Sequence, residues 1–505
     1  MTGDDAAGEV DGIGETVDPG ISTRMRSGLR WSLLSTVLSR MVNPLTGIIL
    51  ARILSPRDFG IFAVALIALN GLNSINELGV TYAVVRWPGD LKLAARTATT
   101  IAISASVLIF IACFIAAPFF ASALHTPAAT GVLRLLALGV VIDGVASVPI
   151  GLLTRGFRQD KRAIAEWSGF VVSTTVTIGL AIAGFGAWSL AWGRLAGNSV
   201  NCGALYILAP SRPRPGWDKS VARELLRFGI PLTGSSFLVF AMLNVDYLVV
   251  GRELGTVALG YYALAFNLSS FPWNLLSTAV RPIAVPAFAR FQHDSARLRE
   301  VFLRWFHLLM SATVPVCTLL GVLALPLVTM VYGSKWRPAA SALVFLAALG
   351  GLRVAIDFCY DLFVAVGESR VLVYIQGLWL VALVPALTIG ARRDGIQGVG
   401  IAHVVVAAGI IVPVYLFALY RRHGLRPGAV LGAVARPLVG GFFAALAGVA
   451  LMSRFSTDIG ELAAGGLGIL VVYGIIGISV RELRSLPRLL SRRGGGIDGD
   501  PATAA

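Results

Sequence analysis

Amide, hydroxyl and charged side chains recur inside long apolar runs of this chain, spaced so that single helical faces carry them. Asn70, Asn73, Ser74, Glu77 and Thr81 fall at i, i+3, i+4, i+7 and i+11. Asn267, Ser270, Asn274, Ser277 and Arg281, at i, i+3, i+7, i+10 and i+14, likewise share one face. A third run carries Ser32, Thr36, Ser39, Arg40 and Asn43, and a fourth carries Ser236, Asn244 and Asp246. An ionisable residue inside a bilayer is costly, so it faces a bundle interior or a water-filled cavity. A guanidinium there offers paired donors to a phosphate, and a carboxylate is suited to carrying a proton or binding a cation.

By depth along their runs, Arg40, Asn70, Asp143, Asn267, Arg353 and Asp357 fall nearest the midplane. Glu77 and Arg281 fall toward one end, Arg194 and Asp246 toward the other. Each has a structural alternative. Asn and Ser on a helix face make interhelical hydrogen bonds of about 1 kcal/mol. Arg353, Asp357 and Asp361, at i, i+4 and i+8, are placed to neutralise one another, and Arg281 is placed to snorkel to the interface. Arg40 stands apart because no acidic residue lies within a turn of it. The candidate binding set is Arg40, Asn43, Asn70, Asn73, Asn267, Asn274, Arg281 and Arg353, and the candidate coupling set is Glu77, Asp143, Asp246 and Asp357.

Other chemistry finds little support. His125, His293 and His423 fall between apolar runs and His307 and His403 within them, none beside a second ligand at metal-binding spacing. The chain lacks a Walker-type phosphate loop, so ATP-driven transport by this chain alone is not supported. No cofactor is implied.

These residues need membrane helices to hold them. The chain has 505 residues, 56% hydrophobic and 14% charged, whereas a soluble domain carries about 25% charged residues. Its net charge of +15 does not indicate nucleic acid, because the basic residues lie between apolar runs instead of forming one solvent-exposed face. Cys113, Cys202, Cys317 and Cys359 all sit within apolar stretches, as buried thiols do. A span needs about 20 apolar residues. Runs bounded by Pro, Gly and charge predict about fourteen, at 29–51, 59–85, 97–121, 132–154, 166–184, 187–209, 229–250, 257–285, 302–325, 339–365, 371–391, 396–420, 437–453 and 459–480. Most of the 42 Lys and Arg fall in alternate connections if the amino terminus is inside, which predicts a multi-pass protein with both termini cytoplasmic. Residues 1–24 read as a disordered acidic tail and 483–505 as a basic, Gly-rich one. The stretch 211–228, with its amphipathic end, reads as an interfacial linker.

The chain also repeats itself. Arg52, Leu54, Gly60, Phe62, Ala63 and Ala65 recur 200 residues later as Arg252, Leu254, Gly260, Tyr262, Ala263 and Ala265. Gly139 and Gly156 recur 211 residues later as Gly350 and Gly367. Such self-similarity predicts two homologous halves, which in membrane proteins commonly flank the substrate pathway.

Three segments resemble bacterial polysaccharide transporters of the oligosaccharide-flippase type: Leu54-Ser55-Pro56-Arg57-Asp58-Phe59-Gly60, its echo from Gly251 to Ala265, and Tyr332-Gly333-Ser334-Lys335-Trp336-Arg337-Pro338-Ala339. The resemblance extends over roughly 25–420. It implies an all-α polytopic membrane protein with two pseudo-symmetric six-helix bundles (25–210 and 229–420) around a central cavity, plus two peripheral helices within 421–482. The implied activity is not enzymatic. It is translocation of an undecaprenyl-pyrophosphate-linked oligosaccharide from the inner to the outer leaflet of the bacterial cell membrane, by alternating access, for lipopolysaccharide or exopolysaccharide export. Arg40 is then the first match for a pyrophosphate-holding arginine, and amides and hydroxyls suit sugar hydroxyls. Implied partners are the lipid-linked oligosaccharide, membrane lipids, and a polysaccharide polymerase with glycosyltransferases. A peptidoglycan-precursor flippase or a multidrug/cation antiporter shares the fold, although an antiporter favours acidic and aromatic cavity residues over a midplane arginine. A membrane polymerase or glycosyltransferase calls for a large extracytoplasmic or acidic loop that this sequence lacks.

Overall fold

The computed structural model describes residues 45–76, 81, 84–85, 87, 90–212 and 214–477. Arg40, Asn43 and Glu77 lie outside them. Among the described residues the regular structure is helical throughout. The helices are α1 (45–53), α2 (Pro56–Asn76), α3 (Leu91–Ala123), α4 (Ala129–Arg155), α5 (Gln159–Ile182) and α6 (Ala187–Leu208). The helical run Lys219–Arg290 then breaks at Gly255, where φ is 80°, into α7 (219–254) and α8 (256–290). Next come α9 (Ser295–Val322), α10 (Ala324–Tyr332) and α11 (Ala339–Ala365). A second run from Ser369 breaks at Asp394 and Gly395 into α12 (369–393) and α13 (396–423). Lastly come α14 (Pro427–Met452) and α15 (Asp458–Ile476). Both breaks use a glycine at positive φ, which a side chain with Cβ resists.

The spans expected between 97 and 453 coincide with helix, and those at 29–51, 59–85 and 459–480 do so over their described residues. Among the described residues, eight stretches, with α12 and α13 taken as one, are long and apolar enough to cross a membrane by length and composition. Their outward faces are apolar too: Leu108, Phe119, Phe417 and Ile475 are all largely exposed. A soluble protein seldom displays so much apolar surface, but a lipid-facing one must.

Local sequence sets the helix starts. Asp90, Asp218, Asp294 and Thr457 each accept a backbone N–H from the first turn they precede. The expected interfacial linker takes a different form. Residues 219–228 are the first turns of α7, which continues unbroken to 254. Val221, Ala222 and Leu225 are buried against Ala94, Ala98, Ile101, Val148 and Leu152 of α3 and α4. Their apolar face therefore meets protein instead of the membrane surface.

Three internal prolines dock helices together. A proline lacks the N–H that would bond the carbonyl four residues back, and each freed carbonyl finds a donor from another helix. Pro118 frees Phe114 O, which accepts from Arg134 Nε at 3.1 Å, with the guanidinium 4.3 Å above the Phe114 ring. Pro315 of α9 frees Ser311 O for the Tyr473 hydroxyl of α15 at 2.8 Å. Pro437 of α14 frees Ala433 O, 2.5 Å from His307 Nδ1 of α9. The last two fix the carboxy-terminal pair α14–α15 to α9.

The repeated joins meet each other. A Cβ on Gly60 would stand 1.8 Å from Thr256 O, and one on Gly260 would stand 2.0 Å from Pro56 O. Residues 56 and 60 correspond to 256 and 260 in the 200-residue repeat, so the starts of α2 and α8 cross reciprocally about a local two-fold. Only glycine allows backbones this close. This end of the molecule is called the join face below; the opposite end carries the arginine-rich connections.

Candidate functional site

A cavity of about 310 Å³ lies directly beneath that crossing. The polar face of α2 supplies Asn70, with Phe59, Phe62 and Leu66 a turn or more toward the join; α7 supplies Asn244 and Tyr247, and α8 supplies Asn267. Both halves of the repeat thus contribute to one wall set. Asn244 Nδ2 donates to Phe240 O at 2.9 Å and Asn267 Nδ2 donates to Ala263 O at 2.8 Å, each four residues back on its own helix. Their amide oxygens remain as acceptors on the lining. Amides between aromatic rings match the hydroxyls and apolar ring faces of a sugar, since each carboxamide can both accept and donate.

Of the described candidates, the structure brings Asn70 and Asn267 to this cavity and places the others elsewhere. Asn73 Nδ2 donates to Asp143 Oδ2 at 3.5 Å, and Asn198 Nδ2 donates to Asp143 Oδ1 at 3.3 Å. Asn73 and Asp143 therefore form a polar cluster among α2, α4 and α6. Asn274 is exposed and is not part of the cavity lining.

The expected neutralisation within Arg353, Asp357 and Asp361 does not occur. Asp361, buried on α11, instead pairs across to Arg281 Nη2 of α8 at 2.7 Å. Asp357 Oδ2 accepts from Trp273 Nε1 at 2.5 Å, and Arg353 lies 4.9 Å above the Phe266 ring. Along one helix these charges share a face, but α8 packs against that face and offers nearer partners. The snorkelling alternative for Arg281 also yields: its side chain is 51% exposed, yet its head is held by Asp361.

Asp246 lies in a network that the sequence did not announce. Fully buried on α7, it accepts through Oδ2 from the Tyr262 hydroxyl of α8 at 2.7 Å. The same hydroxyl lies 3.2 Å from His403 Nε2 on α13, which is itself 3.6 Å from Asp246 Oδ2. Asp246 Oδ1 has no hydrogen-bond partner. One helical turn beyond His403, α13 widens into a π-turn at Ala407–Ile411, two residues before Pro413, a feature often found at functional positions. His403 looked isolated because its partners stand 141 and 157 positions away in sequence, beyond any spacing rule. At position 262 the repeat puts a tyrosine where position 62 has a phenylalanine, and that added hydroxyl is the one trace of the network in the linear sequence.

The comparisons with known proteins agree with one another. The family described as polysaccharide biosynthesis protein matches residues 49–341. The chain is 26% identical over 464 residues to the succinoglycan biosynthesis transport protein ExoT of Rhizobium meliloti (strain 1021), covering 91% of this chain and 94% of that protein. It is 25% identical over 386 residues to the lipopolysaccharide biosynthesis protein WzxC of Escherichia coli (strain K12), covering 75% and 78%. It is 23% identical over 366 residues to the teichuronic acid biosynthesis protein TuaB of Bacillus subtilis (strain 168), covering 70% and 74%. Among solved structures, the fold matches the lipid II flippase MurJ in an inward closed conformation with a TM-score of 0.71 at 15% identity, covering 91% of this chain and all of that one. An inward-facing multidrug resistance MATE family transporter of the MOP superfamily matches with a TM-score of 0.60 at 18% identity, covering 76% and 94%.

Proposed function

Since the chain belongs to the polysaccharide biosynthesis protein family, we propose that it is a flippase that carries a lipid-linked oligosaccharide from the inner to the outer leaflet of the bacterial inner membrane. The carrier is undecaprenyl pyrophosphate, and the product feeds cell-surface polysaccharide assembly. A polysaccharide polymerase and glycosyltransferases act after and before it. With about fourteen spans and the arginine-rich connections cytoplasmic, both termini are cytoplasmic and the join face extracytoplasmic.

The observation that carries this reading is the cavity beneath the Gly60–Gly260 crossing, closed toward the join face and walled by Asn70, Asn244 and Asn267 among Phe59, Phe62 and Tyr247. Among the described residues its lining carries no acidic group, which fits a neutral glycan better than the cation of a drug antiporter. In the proposed cycle the glycan enters from the cytoplasmic side with the lipid tail left in the bilayer. The pyrophosphate is held by guanidinium groups, first by Arg40 and then by Arg281 or Arg353. The halves then rock apart at the join face. For Arg281 this means exchanging Asp361 for phosphate, a trade between two anions that both accept its donors bidentately. Asn43, Asn73 and Asn274 serve as secondary polar contacts along the route. Glu77, Asp143, Asp246 and Asp357 are the groups available to exchange a coupling cation, and Asp246 leads because its network joins three helices that must shift together.

A reconstituted assay with fluorescent lipid-linked oligosaccharide tests the reading directly. Purified protein in vesicles should expose the labelled glycan to an external glycosidase. A lipid-linked substrate that stays protected at all protein levels, alongside active efflux of a lipophilic cation, would transfer the function to the antiporter class.

A further inference from the structure

The segments joining the two halves at the join face do more than abut. After α10, the backbone turns at Gly333 and passes over the carboxy-terminal end of α1. Lys335 Nζ donates to Arg52 O at 2.9 Å and to Leu54 O at 2.7 Å, and Trp336 Nε1 donates to Ala51 O at 2.8 Å. The last carbonyls of a helix lack intrahelical partners and carry partial negative charge, so an ammonium and an indole N–H suit them. In return Arg52 Nε donates to Val331 O at 2.8 Å, and Arg52 Nη2 donates to Met330 O. The buried Trp336 ring stands edge-on to Phe59 at 5.0 Å and to Tyr261 at 6.0 Å, placing it between the starts of α2 and α8.

The other half has a weaker counterpart. Pro127 and Pro338 share the 211-residue offset of the second repeat, so the α3–α4 loop is the equivalent of 333–338. It too reaches across to the opposite join, but with a single hydroxyl pair, Thr126 Oγ1 to Thr256 Oγ1 at 2.6 Å. The closure is therefore doubled in topology and unequal in strength.

We propose that the 333–337 loop is a strap that bolts the join face shut by capping α1, and that its release is the step that admits the outward-open state. Parting α2 from α8 must break the hydrogen bonds of Lys335, Trp336 and Arg52, the Trp336–Phe59 contact and the Thr126–Thr256 pair, because one partner of each belongs to each half; the Trp336–Tyr261 contact lies within the second half. The strap is the polar part of that barrier, and the Gly60–Gly260 crossing is the apolar part. The inference rests on the alternating-access reading of the chain, but its test measures exposure without substrate, so the two fail separately.

A reporter cysteine replaces Leu66 on the cavity wall, in a chain whose Cys113, Cys202, Cys317 and Cys359 are replaced by alanine. Intact cells are treated with a membrane-impermeant maleimide. Lys335→Met keeps the side-chain stem and removes the charge, and Trp336→Phe keeps an aromatic ring and removes the donor. We expect Lys335→Met to raise the external labelling rate about tenfold, since a charged donor contributes more than a neutral one, with Trp336→Phe raising it less and Thr126→Val least. Labelling from the cytoplasmic side in inverted vesicles and a monodisperse elution profile establish that each variant is folded. Folded Lys335→Met and Trp336→Phe proteins whose external labelling equals or falls below the parent's would overturn the strap and leave the glycine crossing as the sole closure.

Discussion

Adding one methyl group at the crossing of α2 and α8 should change which side of the cavity is open. In Gly60→Ala the new Cβ starts 1.8 Å from Thr256 O, against an ordinary carbon–oxygen contact of about 3.3 Å. The helices must therefore part locally by about 1.5 Å. In Gly260→Ala the starting distance to Pro56 O is 2.0 Å, so the required shift is about 1.3 Å by the same contact distance. Both obstacles are backbone carbonyls, which cannot rotate aside as a side chain would. Overpacking of this kind costs about 1–3 kcal/mol, and here the cost falls on the closed join face alone. The closed-to-open ratio should then drop by about five- to 140-fold, as each ~1.4 kcal/mol is a factor of ten. External labelling of the Leu66→Cys reporter should rise accordingly, and the double variant should show less than the product of the singles, because both relieve one shared crossing. Leucine at either position should stop transport while leaving membrane insertion intact. Normal transport and parental labelling in Gly60→Leu and Gly260→Leu would refute the reasoning and reduce the repeat to an evolutionary trace.

Further outcomes follow from the rest of the molecule. Arg40→Ala should abolish translocation and Arg40→Lys restore part of it, because lysine keeps the charge without the bidentate fork; wild-type rates in Arg40→Ala would move the phosphate site to Arg281 or Arg353. Asp246→Asn should slow transport at least about tenfold, whereas Tyr262→Phe should cost less, since one neutral hydrogen bond contributes about 0.5–1.5 kcal/mol; equal losses would make the network structural. Tyr473→Phe should lower thermal stability by about 0.5–1.5 kcal/mol through the unpaired Ser311 carbonyl. In a Pro315→Ala background that restores the helical N–H, the same change should cost less, and an undiminished loss would show that the carbonyl is not what anchors α15. Single cysteines at Ser211 and Thr457 should react with impermeant reagent from opposite sides of the membrane, and labelling from one side would break the fourteen-span topology.

The linear sequence by itself determined the fold class, the places of the helices and the existence of two halves. These depend on quantities that a linear pattern carries: runs of about 20 apolar residues, breaks at glycine and proline, and a register of Arg, Gly and aromatic residues recurring after 200 positions. It also placed Asn70 and Asn267 on polar faces, because helical periodicity needs only neighbours three and four residues away. The partners of those faces were decided by tertiary structure. Asp361 shares a face with Arg353 yet bonds Arg281, 80 positions away, because α8 packs against α11 there. His403 gains its meaning from Asp246 and Tyr262 on two other helices. The three segments that carried the family resemblance were legible one by one, but their convergence was not: Trp336 rests on Phe59 and Tyr261 only after both halves have folded around one axis. Periodicity along a helix fixes which face a residue occupies, and only the packing of helices decides what that face meets.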